Sequence, residues 1–309
     1  MRKNFLPSLV VLLAGAALVV SSGCNIFRNL PSAPDSSDPG PAVQRTIRVV
    51  SCETFSPIQG AFVTVGKNNS SSVTDGSGYV TLEAGDNDRI KIEATGFLGP
   101  HDTPLNGEEE FCLFPERPGF ERSFIRPFLY KYIDLRKLRN STLKVHFSDE
   151  LRANREVVAI YEKAIPIAMS AFNGHVRPPE TPIVIEIIDV NDQPNFGVVL
   201  EVFFNSNPDD PPRIDTSVDG DNIIYRASRS YNPRHFPITN LPSVLYTLGA
   251  VTGLGSTGWP GIMQQNNPSP PDDFTDIEKL AMRMSLWRKA GNQFPDCTPA
   301  RLQPCPAIR

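Results

Sequence analysis

Between Thr46 and Gly96 apolar and polar residues alternate in short runs: TIRVVSC (46–52), AFVTVG (61–66), GYVTLEA (78–84) and RIKIEATG (89–96). A period of two over four to eight residues marks half-buried strands. TDGSG (74–78) supplies the Asp-Gly and Gly positions of a tight turn between two of them. Strands at this spacing predict a small all-β sandwich over 45–132. By its polarity, the loop GPHDTPLNGEEE puts His101 and Glu108–Glu110 in solvent. FCLFPERPGFERSFIRPFLYKY (111–132) either finishes the sandwich or leads to the next domain.

From Asn140 the pattern changes. TLKVHF (142–147), TPIVIEIIDV (181–190), VVLEVFFN (198–205) and NIIYRASRSY (222–231) are expected strands. NREVVAIYEKAIPIAMSAFNG (154–174) has helical spacing, with Pro166 expected to kink it or start a new turn. LPSVLYTLGAVTG (241–253) and a segment of 273–291 are also expected to be helical. A strand, a helix, several strands and two helices predict an α+β domain over 140–296, with helices packed on one sheet. The last residues, 297–309, form a tail.

Composition narrows the partners. A net charge of −4 provides no basic field, so nucleic acid is not an expected partner. The 30 prolines and 21 glycines favour short strands and many turns. The N-terminus has Arg2 and Lys3 before the apolar run 5–20, then Ser-Ser-Gly, so residues 1–23 read as a secretory signal. Gly23-Cys24 resembles the bacterial lipobox, although Ser21 stands where that motif usually has leucine. The resemblance implies cleavage before Cys24 and lipidation of its thiol, which would anchor the protein to a membrane. A flexible tether rich in Pro, Ser and Asp would complete 24–44. The expected location is the bacterial cell envelope, with Asn25 favouring the outer membrane or cell surface. Export also permits disulfides. The four remaining cysteines allow three connectivities, and pairing within regions favours Cys52–Cys112 and Cys297–Cys305.

SPIQGAFVTV (56–65), TDGSGYVTL (74–82) and ATGF (94–97) resemble the carboxypeptidase regulatory-like family. The resemblance implies an Ig-like sandwich without catalytic residues. The second domain resembles the metzincin zinc peptidases, in particular the matrixin-like branch, through VLYTLGAVTGLGSTGWPGIM (244–263). Members of that family carry HExxHxxGxxH followed by a methionine turn. Two histidines four residues apart share a helix face, and the glycine lets the chain turn back to bring a third to the metal. On this chain the ligand positions fall on Tyr246, Ala250 and Ser256, and the glutamate position on Thr247. Gly253 and Met263 retain the glycine turn and the methionine turn.

Zinc takes imidazole, thiolate or carboxylate, and threonine cannot replace a carboxylate base. The resemblance therefore implies a degenerate site with no zinc cofactor and no catalytic residues. The domain would have a binding or structural role, with a protein or peptide as the candidate partner. The alternative is a zinc metalloendopeptidase with ligands from elsewhere in the chain, which requires His235, His175 or His146 to converge near Tyr246. Structural calcium is a further candidate. DVNDQPNF (189–196) is similar to the calcium-binding DxND linker of cadherins, and SVDGDN (217–222) also groups side-chain oxygens, which nominates Asp189, Asp192, Asp219 and Asp221. No phosphate-binding glycine loop, CxxC pair or GxSxG is present.

Overall fold

The computed structural model describes residues 42–130, 134–174, 181–189, 197–232, 240–264, 267–294 and 296–298. The signal segment, Cys24, Asp192, His175, His235 and Cys305 therefore lie outside the described residues. No helix among the described residues is long and apolar enough to cross a membrane.

Seven strands make up the first part of the fold: β1 (Val43–Ser51), β2 (Phe62–Val65), β3 (Ser70–Val73), β4 (Tyr79–Ala84), β5 (Arg89–Glu93), β6 (His101–Pro104) and β7 (Glu110–Leu113). They form two sheets, ordered β4-β1-β7 and β3-β2-β5-β6. The alternation seen in the sequence sends Ile47, Val49, Val80, Leu82 and Phe111 of one sheet and Val63, Val65, Ile90 and Ile92 of the other into a common core. Two strands escape the hydrophobic pattern. β3 reads Ser-Ser-Ser-Val and is mostly exposed, and β6 reads His-Asp-Thr-Pro. Backbone pairing with β2 and β5 makes them strands despite their side chains. β1 begins at Val43, two residues inside the segment read as tether. Segment 111–130 combines the two alternatives. β7 pairs in parallel with β1, and α1 (Arg122–Leu129) buries Phe124, Ile125, Phe128 and Leu129 in a second core.

The second core lies under a six-stranded sheet. Its strands are β8 (Lys137–Leu138), β9 (Thr142–Phe147), β10 (Val184–Ile187), β11 (Val198–Phe204), β12 (Arg213–Val218) and β13 (Ile223–Tyr231). The order is β10-β9-β11-β13-β12, with β8 pairing on β13. All pairs are parallel except β12 with β13, so the edge strand β12 runs against the rest. β12, RIDTSV, is missed by the apolar pattern because an edge strand needs little burial. The mix of sheets and helices is an α+β architecture.

α2 (Asp149–Arg152) leads into α3 (Arg155–Asn173), whose buried residues Val157, Tyr161, Ala164, Ala168, Ala171 and Phe172 follow helical spacing. Pro166 starts no new element, and the helix runs through it as one element of 19 residues. Pro166 is on the exposed side, so the hydrogen bond it cannot make to the Glu162 carbonyl falls where water can replace it. α4 (Leu241–Val251) and α5 (Asp276–Trp287) complete the core, α4 packing on α3, β12 and β13.

Cys52 and Cys112 form a disulfide beside the β1–β7 pairing, as pairing within one region favoured. Cys297 is buried, and its expected partner Cys305 lies outside the described residues. The Cys52–Cys112 bond closes a sequence separation of 60 residues. Chain-entropy reasoning gives such a loop about 4 kcal/mol. The double variant C52A/C112A is expected to lose stability of that order in urea denaturation, relative to the oxidised protein.

Candidate functional site

Helix α4 is apolar almost all round. Asn240 starts it by accepting a hydrogen bond from the Ser243 backbone N–H (3.0 Å), and Pro242 occupies the first turn. Every residue from Val244 to Val251 is buried except Tyr246, which is half-buried. The helix ends at Gly253, whose φ is +107°. A Cβ there would come within 2.8 Å of the Arg136 carbonyl oxygen, so both the turn and the close approach call for glycine.

The structure brings the first and third expected ligand positions together. The Tyr246 hydroxyl donates to Ser256 Oγ at 3.1 Å, bridging the helix and the loop that follows it. Thr247 is fully buried, and its hydroxyl donates to the Ser243 carbonyl one turn back (2.9 Å). Ala250 is buried and presents only a methyl group. The residues at this place do not fit zinc. One polar pair is closed on itself, one hydroxyl is bonded into the helix, and the remaining position has no donor atom. Among the described residues no group of three or more His, Cys, Asp and Glu side chains converges on one point. Of the histidines named for the alternative site, His146 is half-buried on β9, and the other two lie outside the described residues.

Met263 lies beneath the helix and is completely buried. A Cβ on Gly249 would come within 2.7 Å of its Sδ, so the helix rests on the thioether at a glycine. The turn carrying Met263 is held from α5. Glu278 is buried, and its carboxylate accepts from the backbone N–H groups of Met263 (2.7 Å), Ile262 (3.2 Å) and Thr275 (2.9 Å). Thr275 returns the contact by accepting from the Glu278 N–H (3.2 Å), which completes a capping box. The ThrAspIleGlu sequence at 275–278 carries that signal, but the grip on the methionine turn is visible only in three dimensions.

Two of the four calcium candidates, Asp219 and Asp189, have partners within the protein. Asp219 closes the β12–β13 turn by accepting from the backbone N–H of Asp221 and of Ile223, each at 3.0 Å. The Ile223 bond is the main cause holding its carboxyl below the ordinary carboxylate value. Asp221 is exposed in the same turn. Asp189 pairs with Arg152.

A second polar cluster has no counterpart in the sequence pattern. His101, read as a solvated loop residue, is only 4% exposed, because β6 is a sheet strand whose outer edge is covered by the segment after α5. There the Asp102 N–H donates to the Asp296 carbonyl and the Thr298 N–H to the Asp102 carbonyl, both at 2.8 Å. Asp296, 1% exposed, takes a forked pair of hydrogen bonds from Arg288 at 2.8 and 2.9 Å. His101 Nδ1 lies 3.2 Å from Asp296 Oδ2, off the line of a good hydrogen bond. Arg288 also donates to the Cys112 carbonyl (2.8 Å), so the cluster joins α5 to the sandwich. Burial alone would raise the Asp296 carboxyl, but the Arg288 guanidinium, and then His101, outweigh it and hold the group well below the usual carboxylate range.

Two outcomes follow from this geometry. Y246F and S256A are each expected to cost about 0.5–1.5 kcal/mol, and the double variant about as much as one of them, because both remove the same bond. A strictly additive double-mutant cycle would show that the pair does not interact. D296N is expected to destabilise the protein by about 3 kcal/mol at neutral pH, because Arg288 is left buried without its counter-charge. The depressed carboxyl adds stability that is fully present above its unfolded pKa of about 4 and is lost as pH falls through the folded value. Urea midpoints against pH should therefore fall less steeply in acid for D296N than for the native chain. No protein-family model, curated protein or solved structure matches this chain.

Proposed function

We propose that this chain is a non-catalytic, exported envelope lipoprotein. An Ig-like sandwich of the carboxypeptidase regulatory-like kind carries a metzincin-like domain whose role is binding or structural. The observation that carries this reading is the hydrogen bond from Tyr246 to Ser256, which occupies the place where the resemblance puts a metal. Thr247 and Ala250 support it, since neither offers a base or a ligand there. The scaffold supports the resemblance itself. A central helix ends at a left-handed glycine, rests on a buried methionine, and lies beside a mainly parallel sheet with one antiparallel edge strand. Among the described residues β12 pairs only with β13, and its other edge could take an extended peptide as a further strand. The proposed anchor is Cys24, with a protein or peptide as the partner of the folded part.

Metal analysis of the purified native protein is expected to find no stoichiometric zinc and no chelator-sensitive peptide cleavage. Finding both would overturn the reading. The variant Y246H/T247E/A250H/S256H, restoring the complete motif, is expected to take up stoichiometric zinc. A folded variant that takes up none would remove the metzincin resemblance while leaving the native chain's inactivity intact. C24S is expected to lose incorporation of labelled fatty acid and to move from the membrane fraction to the soluble fraction. Unchanged labelling and fractionation would rule out lipidation at Cys24.

A further inference from the structure

We draw no further inference here: the strongest candidate, the cleft of about 130 Å³ between β6 and the C-terminal end of α5, carries nothing because its charges are matched within the protein, Arg288 with Asp296, Lys289 with Glu108 and Glu110 with Arg48, and no group in it singles out a ligand.

Discussion

The second half of the molecule is organised by a helix with no face to give to water. α4 buries nearly every side chain it has, so it must be surrounded, and α3, the sheet and the turn after it supply the surroundings. Its ends are fixed chemically, by Asn240 at the start and by the left-handed Gly253 at the finish. Between them Gly249 lets the methionine sulfur approach closely. A polar ligand set in this helix would have to be satisfied inside a dry environment, and an unsatisfied histidine or glutamate there would be costly. Ala250, a threonine bonded to its own helix and a tyrosine paired across the loop instead make this region ordinary core.

Two buried carboxylates do the fastening that apolar packing cannot. Glu278 collects backbone N–H groups that the methionine turn would otherwise leave unpaired, and Asp296 neutralises Arg288 between the two cores. Both belong to the C-terminal part of the chain, but Glu278 acts on a turn 15 residues before it, whereas Asp296 reaches back to β6. One holds the loop under the central helix, and the other holds an edge of the sandwich.

Legibility in the sequence followed burial. β1, β2, β4 and β5 were legible because each has one face in the core, and β9, β10, β11, β13, α3, α4 and α5 for the same reason. β3, β6 and β12 were not, since they are fixed by backbone pairing and carry serine, threonine, histidine or aspartate where the pattern wants apolar residues. Proximity in sequence made Tyr246, Ser256 and Met263 easy to nominate together. His101, Arg288 and Asp296 could not be joined, because nothing local in a β-edge histidine announces a partner nearly two hundred residues away. Pro166 does not end α3, since it faces outward where a missing backbone bond can be replaced by water.

The Cys52–Cys112 bond has a mechanical meaning as well as a thermodynamic one. It joins the residue just after β1 to β7, so β2 through β6 hang from a closed covalent ring. Tension applied at the N-terminal end of β1 would cross the sulfur bridge directly to β7 and continue into α1 and the second core. The greater part of the sandwich lies off that load path. Pulling can strip β1 from β4, but it cannot lengthen the chain between the two cysteines.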